Sequence, residues 1–232
     1  MHFKTRKNKA MKKVLLFFAL AVVCLTMLLG ACIELSEPIK DNALATSGPA
    51  GPVKIGGITW AAYNVDSFQT FATRPDMYTK FYQWNREAAW SAAGSVSGWN
   101  STADQSATWT VVNPCPAGWR LPTRAELTAL NNAGSSWANA NARGNAVAGR
   151  FYGLGHATAS LPNNMGNCVF LPAAGYRTSS IGSLSSQGSR GYYWSGTQCS
   201  SANGSSLAFS SSGSNPSDGT GKAFGFSLRC VQ

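Results

Sequence analysis

Apolar residues are distributed very differently in two parts of this chain. Residues 14–29 form a continuous run with no charged side chain, and a basic segment precedes them. From Val53 onward the apolar runs are short, rich in β-branched and aromatic residues, and separated by Gly, Ser and Asn. The first pattern is typical of a secretory signal. The second predicts short strands joined by turns.

The second part opens with a predicted β-hairpin. Strand-forming residues within 53–60 flank the pair Gly56-Gly57, which favours a two-residue turn. Further strand-like segments recur down to the C-terminus, and the Ser- and Gly-rich stretches between them are predicted to be loops. These segments are 80–84, 149–152, 169–174, 192–194, 206–209 and 222–231.

One helix is predicted over residues 124–132. Thr123 is placed to accept a hydrogen bond from the first free amides, and Glu126 is placed to bond back to the Thr123 amide, which is a capping box. Leu127 and Leu130 then fall on one face, and Gly134 is expected to end the helix. The cap explains the position of Glu126 without assigning it a catalytic role.

The frequent turns and the single strong helix favour an α+β domain over a doubly wound sheet. We expect short antiparallel strands, one or two helices and long irregular loops. The length after residue 52 suffices for one well-buried domain, over 53–232, and is short for two.

The long apolar run ends at Leu29-Gly30-Ala31-Cys32, and small residues before a cysteine are typical of the site where a bacterial lipoprotein signal is cleaved and lipidated. We therefore expect a signal peptide over 1–31, a lipid on Cys32 and a flexible tether over 32–52. The lipid would make the membrane a partner and place the chain at the bacterial outer membrane. An uncleaved anchor is the alternative, since about 18 apolar residues just cross a bilayer. Either Met1 or Met11 fits as the start.

The high net charge belongs mostly to the leader. Six of the 19 Lys and Arg residues precede Cys32, so the mature chain carries 13 against nine acids, about +4. Because these charges form no basic cluster, we expect no nucleic-acid partner. Arg177 and Arg229 are expected to bond backbone carbonyls or Glu126 within the fold, the alternative being an anchor for a ligand carboxylate.

Four cysteines remain once Cys24 leaves with the signal and Cys32 carries lipid. An even number in an exported chain suggests two disulfides with three possible connectivities, and free buried thiols are the alternative. There is no Cys-x-x-Cys spacing, and His156 is the one histidine after Cys32, so we expect neither a metal site nor a cofactor. The four cysteines are Cys115, Cys168, Cys199 and Cys230.

Several ordered blocks of the chain resemble a known family. The clearest is 113–123, Asn-Pro-Cys-Pro-Ala-Gly-Trp-Arg-Leu-Pro-Thr, followed by Glu126 and Leu130. With the other blocks it resembles the signature of the Fibrobacter succinogenes major paralogous domain family, over about residues 53–232. The other blocks are 55–60 with 82–84, 171–177 with 193–197, and 225–231.

The resemblance implies a bacterial surface or envelope module, commonly a lipoprotein in Bacteroidota. The Leu-Pro-Thr-x-x-Glu helix entry is also similar to that of C-type-lectin-like domains, which implies a compact lectin-like fold with its ends brought together. In such folds a cysteine near a helix pairs with one near the C-terminus. The resemblance therefore favours Cys115 with Cys230 and leaves Cys168 with Cys199.

The expected contact residues are tryptophans in variable-looking segments. Trp90, Trp99 and Trp137 lie among Ser, Ala and Gly, and exposed indoles stack on sugar faces. No catalytic residue is expected, because Ser195 lies outside a Gly-x-Ser-x-Gly elbow and His156 has no carboxylate near it in the sequence. We expect a non-catalytic envelope lipoprotein that contacts a glycan or an envelope protein. The alternative is a structural envelope or fimbria-associated subunit with no small ligand.

Overall fold

The computed structural model describes residues 51–109 and 113–232, and of residues 217 and 218 it describes the backbone alone. This part of the chain forms fifteen strands and one helix, α1 (Arg124–Asn132). Every named strand pair within it is antiparallel. The strands are β1 (Val53–Ile55), β2 (Ile58–Ser67), β3 (Thr70–Phe71), β4 (Phe81–Gln83), β5 (Ala89–Trp90), β6 (Ser135–Ala138), β7 (Gly149–Leu154), β8 (Asn167–Pro172), β9 (Tyr176–Arg177), β10 (Leu184–Ser185), β11 (Arg190–Gln198), β12 (Asn203–Ser210), β13 (Ser214–Gly221), β14 (Gly225–Phe226) and β15 (Arg229–Val231).

The two ends of the domain pair with the same strand, β2. β1 and β2 form the predicted hairpin, with Ile55 opposite Ile58 across Gly56 and Gly57. Both glycines have positive φ, 59° and 85°, as this tight turn requires. At the other edge of β2 lies β15, the last strand of the chain. One sheet, β1-β2-β15 with β3 added through β2, therefore closes the domain.

The capping box predicted at the start of α1 is confirmed. The Glu126 amide donates to the Thr123 hydroxyl at 3.2 Å, and the Thr123 amide donates to a Glu126 carboxylate oxygen at 2.7 Å. Leu127 and Leu130 are buried, and Gly134 follows the C-cap residue with φ 88°. The helix bounds predicted from local sequence are therefore correct.

The remaining strands form three sheets, which differ in how far apart in sequence their neighbouring strands are. β6-β7-β8 and β11-β12-β13 are meanders of consecutive strands. The five-stranded sheet β10-β9-β14-β4-β5 instead joins distant segments, because Gly225 of β14 pairs with both Gln83 and Arg177. Only tertiary contact brings these short strands together, since two or three residues do not form a stable strand alone.

Buried side chains form three clusters. The first packs α1 against several strands and includes Trp60, Leu130 and Leu207. The second surrounds Trp84 and Trp194, whose ring centroids lie 5.5 Å apart edge to face. The third lies between β7 and β8 and includes the rings of Phe151 and Phe170 at 4.7 Å. Aromatic side chains thus supply much of the interior, as expected where long aliphatic runs are few.

The disulfide pairing implied by the family resemblance is half right. Cys115 and Cys230 are bonded within the second cluster and are 115 residues apart in sequence. The expected bond between Cys168 and Cys199 is wrong, because both thiols are free. Cys168 is buried on β8 and its Sγ donates to the Leu154 carbonyl at 3.1 Å, whereas Cys199 is exposed just after β11, in a different sheet.

The expected α+β, C-type-lectin-like architecture with two disulfides is also wrong. The described residues are predominantly β, with several antiparallel sheets, one helix of nine residues and one disulfide. Several strands occupy stretches predicted to be loops, among them β5, β6, β10 and β13. The sequences of β6 and β13, Ser-Ser-Trp-Ala and Ser-Asn-Pro-Ser-Asp-Gly-Thr-Gly, have little strand propensity. Pairing with an adjacent strand holds them extended, which local sequence does not reveal.

Candidate functional site

In the sheet β11-β12-β13 one face is closed by the first core cluster. The other face is covered at Trp194 by the second cluster but is accessible around Arg190 and Tyr192, and this accessible part is the open face. Along β11, Gly191 and Tyr193 are buried, whereas Arg190 is exposed and Tyr192 is half-buried. Successive side chains of a strand point to opposite faces. Tyr193 accordingly packs in the first core cluster, and Tyr192 lies on the accessible side.

An aromatic cavity of about 180 Å³ lies beside Tyr192 on the open face. The Tyr192 ring stacks on Phe226 with centroids 4.9 Å apart, and Tyr176 meets Tyr192 edge to face at 5.0 Å. Phe224 and Thr220 complete the lining. Four aromatic rings and Thr220 therefore line this cavity, three of the five residues carry a hydroxyl group, and none of them is charged.

The segment Phe224-Gly225-Phe226 explains how these rings come together. The Phe224 amide donates to the Gly221 carbonyl at 3.0 Å in a turn after β13, and β14 begins at Gly225. A Cβ on Gly225 would lie 2.7 Å from the Trp99 ring, so a larger residue does not fit there. Phe224 and Phe226 sit on either side of this glycine and both line the cavity.

A second cavity, of about 250 Å³, also has Tyr192 in its wall. Its lining includes Arg190, Ser210, Ser214 and Asn215, and Tyr192 lines both cavities. The Arg190 guanidinium donates to the Tyr192 hydroxyl at 3.4 Å, a long hydrogen bond. Hydroxyl and amide side chains therefore line this cavity together with one cation, and the hydroxyls of Ser210 and Ser214 already bond Ser212 and Tyr152.

A third cavity, of about 420 Å³, lies at the N-terminus of α1. Trp109 and Asn113 in its wall flank residues 110–112, which lie outside the described chain. The Arg120 guanidinium forms two hydrogen bonds with the Glu126 carboxylate, at 2.8 and 2.6 Å. These bonds are the main reason that the pKa of Glu126 is lowered. Glu126 is thus occupied by the cap and by an ion pair.

The three predicted contact tryptophans do not form one surface. Trp90 and Trp99 pack together with ring centroids 5.0 Å apart, and Trp99 donates to the Ser179 carbonyl at 3.0 Å. Trp137 lies in another sheet, on β6, and donates to Asn139 at 2.8 Å. All three are half-buried, so packing explains much of their placement. Their role in contact stays a prediction.

Two buried arginines bond oxygen atoms of the fold, as the sequence predicts. Arg177 donates to the carbonyls of Ser91, Ala93 and Gly182. Burial without a carboxylate partner lowers its pKa. Neither Arg177 nor Arg229 bonds Glu126, which pairs with Arg120 instead.

Arg229 lies at the centre of a buried polar network. It donates to Asn64 Oδ1 and to the carbonyls of Ala61 and Phe170, all at 2.7–2.8 Å. Burial lowers the pKa of Arg229 to about 10, and burial raises the pKa of Tyr193 to about 12. These hydrogen bonds hold the guanidinium within the fold, so it is not available to a ligand.

Lys222 is a third buried cation without an acidic partner in contact. Its ammonium donates to the carbonyls of Ser106 and Ser201 and to the side-chain oxygen of Gln198, at 2.7, 2.9 and 3.2 Å. It also lies 5.3 Å from the centre of the Trp84 ring. Three donors thus meet three acceptors, and the lysine joins the 85–109 segment to the ends of β11 and β13.

Cys32 and the signal sequence lie outside the described residues. Within residues 51–109 and 113–232, no group of His, Cys, Asp and Glu side chains is arranged to hold a metal ion. No helix in that same part is both long and apolar enough to cross a bilayer. The pKa of Cys168 is raised by burial.

Tyr176, Tyr192 and Arg190 were not identified from the sequence as contact residues. The available signal is the alternation along β11. Gly191 and Tyr193 point to the closed face, and Arg190 and Tyr192 therefore point to the opposite one. The pairing of β9 and β14 that adds Tyr176 and Phe226 has no comparable local signal.

Comparison with curated proteins and with solved structures finds no match in either set. The model of the Fibrobacter succinogenes major domain matches residues 53–232, which is well over half of the chain and the region where the sequence blocks resemble that family. The ladder that closes β15 on β2 and the capped α1 both lie within this match. The chain therefore belongs to the Fibrobacter succinogenes major domain family.

Proposed function

We propose that this protein is a non-catalytic lipoprotein of the bacterial envelope that binds a glycan on the open face of sheet β11-β12-β13. The observation that carries the proposal is the aromatic cavity beside Tyr192. Pyranose rings present apolar C–H faces that pack on aromatic rings, and their hydroxyls need polar partners at the edge. Tyr176 and Tyr192 offer the first kind of contact, and Thr220 lies beside them with a hydroxyl-bearing side chain.

The predicted export of the chain supports a ligand outside the cytoplasm. A signal over 1–31 and a lipid on Cys32 would tether the domain at the membrane through residues 32–52. The Cys115–Cys230 disulfide fits the same compartment, because disulfides persist in oxidising environments. Mass spectrometry of the protein purified from membranes should find a diacylglyceryl group on Cys32, and an intact leader would contradict this.

A glycan array with the purified full-length lipoprotein tests the binding proposal. The Tyr192→Ala variant should lose at least tenfold in affinity, because it removes the ring shared by both cavities. Ile181→Ala is a matched control, since Ile181 is 69% exposed and lines neither cavity. Phe224→Ala provides a second variant if Tyr192→Ala lowers the melting temperature.

The same experiment separates the proposal from its competitors. Loss of binding in Trp137→Ala but not in Tyr192→Ala would move the contact to the tryptophans predicted from sequence. An array with no bound glycan would contradict the proposal and favour the structural subunit expected as the alternative. Co-extraction of the lipoprotein with assembled filaments, rather than with detergent alone, would support that alternative directly.

A further inference from the structure

We propose that the two cavities that share Tyr192 in their walls bind consecutive sugars of one linear glycan, and that the sugar beside Arg190 carries a carboxylate. This inference rests on the proposed function and specifies its ligand class. It starts from the one residue that lines both cavities, Tyr192. A shared wall residue places the two cavities within reach of neighbouring units of one polymer.

The two cavities differ in chemistry, which orients such a chain. The aromatic cavity is lined by four rings and Thr220 and has no charged lining residue. The second cavity is lined by Arg190, Ser210 and Asn215 and by the β12–β13 turn that contains Gly213, whereas the Ser214 hydroxyl bonds the buried Tyr152. An uncharged sugar face suits the first cavity, and a polar, acidic sugar suits the second.

Arg190 is the charge that selects the acidic unit. In the described residues the ion pairs are Arg74 with Asp76 and Arg120 with Glu126, and Arg190 belongs to neither. Its hydrogen bond to Tyr192 occupies one of the five guanidinium N–H groups. A planar guanidinium with its remaining donors facing a cavity binds a carboxylate in a bidentate manner, which a lysine ammonium does not reproduce.

The closed interior provides the contrast that makes Arg190 distinctive. The guanidiniums of Arg177 and Arg229 each donate three or more bonds to oxygens of the fold. Their directions are set by the chain itself. Arg190, which is exposed at the start of β11, keeps its donors for a ligand.

The test uses the full-length lipoprotein with matched pairs of oligosaccharides on one array, each acidic oligosaccharide printed beside its methyl-esterified or carboxyl-reduced form. We expect wild type to prefer the acidic member. Arg190→Gln should lose tenfold or more for the acidic member, about 1.4 kcal/mol or more, and less for the neutral member, so that the preference for the acidic member falls. Arg190→Lys should recover part of the loss, and sulfated members test whether any anion substitutes for the carboxylate.

The outcomes separate this inference from the proposed function. Equal binding of acidic and neutral members, abolished by Tyr192→Ala but unaffected by Arg190→Gln, would overturn the acidic specificity and leave glycan binding intact. Binding of single sugars as tightly as of oligomers would overturn the two-site arrangement. Preference for sulfated over carboxylated members would overturn the carboxylate assignment. A blank array would overturn both proposals together.

Discussion

The interior around Arg229 and the open face around Tyr192 use the same chemical groups in opposite ways. Arg229 is 1% exposed and its guanidinium donates three short hydrogen bonds within the fold. Arg190 on the open face donates one long bond, to the Tyr192 hydroxyl. Where water is excluded, a cation without oxygen partners lowers the stability of the fold by several kcal/mol. On the open face water supplies the partners, so the same group remains available to a ligand.

The two tyrosines that follow one another on β11 repeat this contrast. Tyr193 is 1% exposed and its hydroxyl donates to the Pro172 carbonyl and accepts from Asn64. Tyr192 is half-buried and lines both cavities. On β11, Tyr193 thus packs in the core, and Tyr192 is accessible at the surface. Substitutions in the interior should therefore change the free energy of unfolding, and those on the open face should change binding.

The largest difference is expected between the two kinds of cysteine. Cys115→Ser removes the disulfide to Cys230, which closes 115 residues, and should lower the free energy of unfolding by about 4–5 kcal/mol in the loop-entropy model. Cys199→Ser is the control and should change it by less than about 0.5 kcal/mol, because Cys199 is free and exposed. Urea unfolding of both variants measures this. Similar losses in the two would indicate that Cys199 also has a structural role.

The next largest difference is expected between the two arginines. Arg229→Ala leaves three buried oxygen acceptors without their donor and should cost about 3 kcal/mol or more. Arg190→Ala removes an exposed side chain and should change stability by less than about 0.5 kcal/mol. Similar decreases in melting temperature for the two variants would contradict the distinction between an arginine that is bonded within the fold and one that is available to a ligand.

Two glycines of the β11-β12-β13 region provide a smaller contrast. A Cβ on Gly204 would lie 2.4 Å from the Trp84 ring and 2.9 Å from Trp194, whereas a Cβ on Gly213 would have no neighbour within 4 Å. Gly204→Ala should therefore destabilise by about 1–3 kcal/mol through overpacking. Gly213→Ala should be close to neutral. Denaturant midpoints measure both, and a neutral Gly204→Ala would show that the indoles shift readily.

The smallest effect is expected at the half-exposed ion pair on α1. The pKa of Glu126 is lowered chiefly by its hydrogen bonds with Arg120. The stabilisation is therefore complete above the ordinary carboxyl pKa of about 4.3 and is lost as pH falls through the lower pKa of the folded state. Glu126→Gln should be less stable than wild type by about 0.5–1 kcal/mol at neutral pH.

That difference should disappear in acid, where wild type also loses the charge. Thermal melts from pH 7 to pH 3 measure it, and Glu87→Gln, which removes an exposed carboxylate, serves as the control. A difference that stays constant with pH would contradict the ion pair as its source, because the glutamine of this variant can still accept the Thr123 amide in the cap.

Local sequence predicted the parts of the fold whose stabilising contacts are themselves local. The Gly-Gly hairpin and the capped helix are both correct, because residues two to four positions apart supply their hydrogen bonds. The strands β6 and β13 were missed, since polar and small residues there are extended only through pairing with β7 and β12. The second disulfide was wrong for a related reason: an even number of cysteines carries no information on which sheets hold them.

For the candidate site, too, the residues chosen from local sequence differ from those that the structure brings together. Trp90, Trp99 and Trp137 were selected because large aromatic residues stand among small ones, but the structure packs two of them against each other. The cavity beside Tyr192 depends on four strands, of which β9 and β14 have only two residues each and β11 and β13 belong to another sheet. No local pattern indicates that Tyr176 and Phe226 lie within 6.4 Å of one another.

By itself the sequence determined the family, the helix with its cap and the first hairpin, and it predicts the lipid anchor at Cys32. The helix and the hairpin depend on residues close together in sequence, and the family is recognised from ordered blocks between residues 55 and 231. Tertiary structure alone decided the predominance of β-sheet, which cysteines stay free, and that Arg190 and Tyr192 line cavities on the open face. Burial and pairing over long sequence separations determine those outcomes, and the energy of such contacts is not readable from any single segment.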